Sequence, residues 1–317
     1  MNKAIFKCNI CDNINNNITY IAKEMMFGYR EEFEYVKCSR CGCLQIVEIP
    51  HNLEKYYSDY YSFSSFSKST RQRIMSFAYS IPIVVWLGKF FIEKLAFRYN
   101  KIYSSSPLYW FKNKYCDFDS KILDVGCGNG LLLNILKNYG FKHLMGVDLF
   151  LEKDLNYDNK IFIKKGDVFC INEMFDFIML HHSFEHMPEP LKILSKLTTL
   201  IKETGTILIR IPVVDCYAWR KYGVNWSSLD APRHLFLHTV KSISILSEKC
   251  DLIIDKIVYD SSDMQLIYSD KYIRNISMSE SINIHTKHEI KFYKKKAREL
   301  NIMRDGEYAC FFLKKRM

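Results

Sequence analysis

Two cysteine pairs, Cys8 with Cys11 and Cys38 with Cys41, stand at the spacing of metal-binding knuckles. Each pair offers two thiolates on a tight turn, and zinc takes four such ligands in a tetrahedron. Gly42 eases the second turn, and Cys43 just beyond it reads as a spare thiol. The stretch between the pairs can form a small hairpin that buries little surface, so the metal would supply much of its stability. Four thiolates fill the shell and leave no open position. The pattern therefore predicts a structural zinc held by Cys8, Cys11, Cys38 and Cys41. No thioredoxin-like pattern surrounds either pair, which argues against a redox role.

A second constellation begins in the run Ile122-Leu-Asp-Val-Gly-Cys-Gly-Asn-Gly130. Gly126 permits a sharp turn after a strand, Gly128 lets a ligand approach the backbone, and Gly130 allows close packing where a helix starts. Leu131 stands where a dinucleotide fingerprint has its last glycine, which disfavours a nicotinamide dehydrogenase. Asp124, ahead of the first glycine, can meet the ammonium of a nucleoside that carries an amino acid. Asp148, at the end of the next strand, can accept two hydrogen bonds from a ribose diol. Asp167, in Gly166-Asp167-Val168, is placed for an adenine amino group. Any one of these aspartates is as readily a solvated strand end. The set together carries the nucleoside reading.

The third constellation is rich in histidine. His181-His182-Ser-Phe-Glu185-His186 closes a strand, and Trp226-Ser-Ser-Leu-Asp230-Ala-Pro232-Arg233-His234 lies in a loop after the fifth one. Arg233 can clamp an anion bidentately, and His234 or His186 can take a proton from a hydroxyl. Trp226, Asp230 and His182 join them as expected acceptor contacts. Three plainer readings stay open: Arg233 salt-bridged within its own loop, His186 bonded to backbone, and a metal at His182, Glu185 and His186. The last has the spacing of a zinc-protease motif, but it follows a strand and not a helix.

These residues need elements to position them. Apolar runs predict strands at Lys121–Val125, His143–Val147, Ile161–Lys164, Phe175–Leu180, Thr206–Ile211, Leu252–Tyr259 and Tyr308–Lys314. Between them, Leu131–Asn138 and Leu191–Lys202 read as helices, the second opened by Pro188, with Gly205 turning the chain into the fifth strand. A charged helix follows near His288–Leu300. Such alternation predicts an α/β fold with a mostly parallel sheet. Three successive segments result: a zinc ribbon over 1–49, a Tyr- and Phe-rich helical cap or linker over 50–115, and a nucleoside-binding domain over 116–317.

Composition narrows the function. With 48% hydrophobic residues, the 317-residue chain has enough apolar side chains for a sizeable core and too many for a disordered chain. The net charge of +10 favours an anionic partner, although a lysine-rich surface gives the same number. The first residues lack an apolar signal-peptide core, and eleven cysteines without an export signal fit the cytoplasm. The longest apolar stretch, Phe77–Ile92, holds Pro82 and Lys89 and is too interrupted to span a membrane. Tyr79–Phe97 could still rest on a membrane surface. No pattern sets the oligomeric state.

From about residue 120 onward, the glycine turn with Asp124, Asp148 and Asp167 resembles the class I S-adenosylmethionine (SAM)-dependent methyltransferases. The resemblance implies a Rossmann-like, seven-stranded sheet with an antiparallel last strand, and a SAM site at Asp124, Gly126, Gly128, Gly130, Asp148 and Asp167. The Pro232-Arg233-His234-Leu235 block, the cysteine pairs and Lys55-Tyr-Tyr-Ser-Asp-Tyr-Tyr-Ser-Phe63 are similar to zinc-ribbon methyltransferases associated with bacterial surface-polysaccharide genes. That implies a small-molecule or glycan acceptor, a sugar hydroxyl or amine. Nucleotide-sugar C-methyltransferases also join a zinc module to a SAM domain, but this chain has no room for their large C-terminal domain. An RNA methyltransferase would suit the zinc ribbon and the charge. No Lys/Arg block marks an RNA track, however, and the Asn/Asp-Pro-Pro-aromatic sequence used on base amines is absent. A non-enzymatic SAM-binding module is the third alternative, opposed by the intact glycine and aspartate set.

Overall fold

The structure is a computed structural model that describes residues 6–57, 109, 113–157 and 161–316. Most of the expected helical cap, 58–108 and 110–112, lies outside the described residues. The chain forms two compact units, each built from separate stretches of sequence. One unit comprises Met1–Tyr57, His182–Thr198 and Ile209–Met317; the other comprises Ser58–His181 and Thr199–Leu208.

The second unit carries the parallel sheet. β4 (Lys121–Val125), β5 (His143–Asp148), β7 (Ile161–Lys165) and β8 (Phe175–His181) match the expected strands to within a residue or two. β4 pairs in parallel with β5 and with β8, and β5 pairs in parallel with β7. A short strand, β6 (Leu155–Tyr157), adds an antiparallel edge on β7 beyond the seven expected strands. The order here is β9-β8-β4-β5-β7-β6, where β9 (Ile201–Pro212) contributes its residues up to Leu208. Ile122, Leu123, Phe175 and Phe177 are fully buried, as a parallel sheet covered on both faces requires. The helix α1 (Leu131–Tyr139) starts at Gly130 and stops at Gly140, which takes the left-handed conformation and donates its amide to Leu136 and Lys137 carbonyls.

The helix α2 (Pro190–Leu200) begins two residues after the expected Pro188, and β9 follows it directly. Gly205 therefore lies within a strand and not at its entrance. A Cβ there would come within 3.0 Å of the Asp176 carbonyl and nearer still to Ile201, so only glycine fits.

The first unit holds the remaining strands. β11 (Leu252–Tyr259) and β12 (Tyr308–Lys315) pair antiparallel, in the order β11-β12-β9 with the end of β9 from Ile209. The cysteine-bearing segment builds β1 (Ile18–Lys23), β2 (Glu32–Lys37) and β3 (Leu44–Ile46), an antiparallel meander. β3 also pairs with β10 (Phe236–Leu237), so the N-terminal strands and the loop carrying His234 share one sheet. The helices of this unit are α3 (Tyr217–Tyr222), α4 (Val240–Lys249), α5 (Met264–Ile273) and α6 (Lys287–Ile302), the last being the expected charged helix. Thr239 caps α4, exchanging hydrogen bonds with Ser242. No helix among the described residues is long and apolar enough to cross a membrane.

Candidate functional site

In the second unit, β4 and β5 end side by side, and their terminal residues build a cradle. The Asp148 carboxylate accepts the Gly128 amide through Oδ2 at 2.7 Å and the Phe150 amide through Oδ1 at 2.9 Å. Gly128 has a left-handed φ of 53°, and no described residue lies within 4 Å of where a Cβ would be. Gly130 serves packing instead: a Cβ there would run into Ile163 Cδ1.

Asp124 is 3% exposed and accepts no hydrogen bond from any described residue. Burial, then the charge of Asp148, pushes its carboxyl up to about 8. It lines a cavity of about 340 Å³ with Gly126, Cys127, Leu131, Ile135 and His181. That size lies within the roughly 300–1,000 Å³ of small-ligand sites. Asp167 caps a short 3-10 turn, Val168–Cys170, by accepting the Phe169 amide at 3.0 Å. Leu149, Phe150 and Phe169, beside these aspartates in sequence, leave apolar side chains half exposed. Sequence reasoning passed over them, because exposed apolar residues after a strand carry no spacing signal.

In the first unit, a short 3-10 turn at Phe184–His186 and the loop before β10 bring Glu185, His186 and His234 together. Glu185 is fully buried, and its backbone carbonyl accepts the Leu235 amide at 2.9 Å. His234 Nε2 lies 3.9 Å and His182 Nδ1 3.5 Å from Glu185 Oε1. Both are too long for good hydrogen bonds, and among the described residues neither carboxylate oxygen has a hydrogen-bond partner. Burial works against ionisation of Glu185, but His182, His186 and His234 outweigh it and hold the carboxyl at about 2.

The two histidine rings stand 4.8 Å apart, edge to face. His186 Nδ1 lies 2.8 Å from the Arg233 carbonyl and 3.1 Å from the Tyr57 hydroxyl, while His234 Nδ1 lies 2.8 Å from the Ser228 carbonyl. A carbonyl can only accept, so Nδ1 carries the proton in each ring and Nε2 keeps a lone pair. Burial, then the neighbouring His234, holds the His186 imidazole below its ordinary range. His182 takes a left-handed φ of 52°. Its Nε2 receives a hydrogen bond from Arg210, whose Nε is held by Asp260 at 2.9 and 3.1 Å. Arg210 and Asp260 are additions from the structure. The signal for Arg210 in sequence is a lone charge inside the apolar run Ile207-Leu-Ile-Arg-Ile211.

The remaining expected acceptor contacts are interior. Arg233 is 3% exposed, ion-paired with Asp230, and its guanidinium lies 5.3 Å from the Phe27 ring centre. This is the salt-bridged loop arginine, its charge already matched, and an incoming anion would have to displace Asp230. Trp226 is 1% exposed and donates its Nε1–H to Glu307 at 2.6 Å, while the Ser228 hydroxyl donates to the same oxygen at 2.8 Å. Burial pushes Glu307 up to about 7 despite these donors.

The four knuckle cysteines converge in the same unit. All four are buried, and their sulfurs lie within 4.8 Å of one another. Cys8 and Cys41 are 3.6 Å apart, and Cys11 and Cys38 3.5 Å. A zinc–sulfur bond of about 2.3 Å implies tetrahedral sulfur separations of about 3.8 Å, so this donor set fits the metal. Gln45 Nε2 donates to Cys8 Sγ at 3.0 Å, the kind of outer contact that steadies a thiolate. Cys43 lies outside the set, its sulfur 3.9 Å from His238 Nδ1.

Comparison with known proteins places residues 96–255, half of the chain, in a match to a family model described as a methyltransferase domain. Curated relatives include a ubiquinone biosynthesis O-methyltransferase of Haemophilus ducreyi, 27% identical over 107 residues that make up 29% of this chain and 45% of that protein. A second, of the same description, is from Actinobacillus pleuropneumoniae, 29% identical over 106 residues, 28% of this chain and 44% of that protein. The chain thus matches less than half the length of these relatives. Similar solved structures include an O-methyltransferase from a polyketide-synthase multienzyme of Brevibacillus brevis, in complex with S-adenosyl-L-homocysteine. It is 16% identical, with 75% of this chain and 82% of that one covered and a TM-score of 0.43. Another is a SAM-dependent methyltransferase from Archaeoglobus fulgidus, 18% identical, with 74% and 100% covered and a TM-score of 0.41.

Proposed function

The chain belongs to the methyltransferase-domain family, and from that premise we propose that it transfers a methyl group from SAM to a hydroxyl or amine of a small-molecule or glycan acceptor. The observation that carries the cofactor reading is Asp124: a buried carboxylate, given no hydrogen bond by any described residue, in a cavity beside the glycine turn. The ammonium of the methionine moiety is the charge it lacks. Asp148, already oriented by two amides, keeps lone pairs for the ribose hydroxyls. When bound, SAM supplies an electrophilic methyl group on a sulfonium.

His234, with His186 beside it, holds an imidazole lone pair able to take the proton that an acceptor hydroxyl or amine gives up. The net charge of +10 supports an anionic acceptor, as in surface-polysaccharide assembly. The knuckle cysteines hold a structural zinc, which needs reduced thiols and so a cytoplasmic setting.

Calorimetry with SAM and with NAD tests the cofactor. Turnover measured across nucleotide-sugars, glycan acceptors and total RNA tests the acceptor. Binding of NAD in place of SAM would overturn the first assignment. Turnover on RNA alone would overturn the second, and SAM binding without turnover on any of them would leave a binding module.

A further inference from the structure

Glu185, His186 and His234 are more than a pair of bases beside an acid. One ligand atom from each lies within 4.8 Å of the others. Both imidazoles are anchored through Nδ1 to backbone carbonyls at 2.8 Å. This is how protein metal sites fix the tautomer and aim Nε2 at the ion. Among the described residues neither buried Glu185 oxygen has a hydrogen-bond partner, a costly state for a carboxylate unless a cation relieves it. We propose that Glu185, His186 and His234 bind a divalent transition-metal ion, distinct from the zinc of the cysteines.

The donors are set by backbone as well as side chain. The Glu185 carbonyl accepts the Leu235 amide, and the His234 carbonyl accepts the Tyr35 hydroxyl at 2.9 Å, so the three ligands cannot drift apart independently. His182 stands outside the set: its Nε2 is taken by Arg210, which leaves a proton on Nδ1 facing Glu185. Asp230 Oδ2 lies 3.6 Å from His234 Nε2, but that carboxylate is already paired with Arg233. Two imidazoles and one carboxylate suit zinc, manganese or iron and leave coordination positions open.

An ion with an open position would supply Lewis-acid chemistry to an acceptor oxygen there. This part rests on the acceptor reading above: with Nε2 of His186 and His234 on the ion, the proton of the acceptor would pass to solvent instead of to either ring.

The test is a titration of the full-length, zinc-replete protein with Mn²⁺, followed by electron paramagnetic resonance. About one Mn²⁺ should bind per chain, with spin-echo modulation from two imidazole nitrogens in the unaltered protein. Glu185→Gln and His234→Ala should each weaken binding by at least about 10–100-fold, while zinc content and SAM affinity report that the fold is intact. No bound Mn²⁺, binding without nitrogen modulation, or equal binding by folded variants would overturn the proposal. Binding as expected with methyl transfer indifferent to chelator would uphold the site and overturn its role in the reaction. Lost turnover in His234→Ala without any Mn²⁺ binding would overturn the site and leave the acid–base reading standing.

Discussion

The Asp148 carboxylate receives the Gly128 amide at 2.7 Å, which ties the end of one parallel strand to the turn leaving its neighbour. That bond orients a charged acceptor for ribose hydroxyls. Asp148→Ala should weaken SAM by about 1.5–3 kcal/mol, the usual worth of hydrogen bonds to a charged group. Calorimetry on a variant of unchanged circular dichroism checks this, and an unaltered affinity would remove Asp148 from the site.

Asp124 makes the free protein sensitive to pH. Its carboxyl is raised to about 8, so between its ordinary value of 3.8 and about 8 the folded chain holds a proton that the unfolded chain releases. Stability from this group is fully present below the ordinary value. It falls by up to about 1.4 kcal/mol per pH unit and levels off above the folded value. Denaturation of Asp124→Asn across pH should show that slope removed. Near neutral pH, SAM should drive Asp124 to ionise and release up to about one proton, measured as calorimetric heats in buffers of different ionisation enthalpy.

His234→Ala should cut single-turnover rates by about 10²–10⁴-fold with SAM affinity barely changed. His186→Ala should cost less. A near-normal rate for His234→Ala beside a collapsed one for His186→Ala would reverse the order of the two residues.

Metal analysis should find about one zinc per chain bound to the cysteines. Cys38→Ser should lose it and reduce soluble yield more than it reduces SAM affinity in the protein that folds, since Asp124 and Asp148 lie in the other unit. Carefully purified protein free of zinc would refute the knuckle assignment.

Trp226→Phe tests the buried Glu307. Removing the indole N–H leaves that carboxyl with one donor, Ser228, and should cost about 1–3 kcal/mol. Chemical denaturation reads it directly, and an unchanged midpoint would show that Glu307 does not depend on the bond.

The sheet was legible because long apolar runs leave few choices: β4, β5, β7, β8, β11 and β12 lie where composition put them. Short pairings were not. Leu155–Tyr157 carries a central asparagine, and Phe236–Leu237 is a strand only because Leu44 and Gln45 lie opposite it. The site divides the same way. Spacing alone brings Cys8 to Cys11 and Asp124 to Gly126. Nothing local brings His234 to Glu185, because their approach depends on the path of a loop that the Tyr35 hydroxyl and the Leu235 amide hold in place. The exposed or buried state of Trp226 and Arg233 was equally hidden, since both types serve interior and surface.

The pairing of β3 with β10 bears on how the gene can be cut or recombined. Leu44 and Gln45 cover Leu237 and Phe236, and the Ile46 amide reaches the Leu235 carbonyl at 3.0 Å. A shortened chain starting after residue 49 would bare two apolar residues on an open strand edge, which invites self-association. It would also release the backbone of His234 from Tyr35. The cysteine segment is thus not a detachable accessory: exchanging it between relatives would have to carry the matching Leu235–Leu237 stretch along.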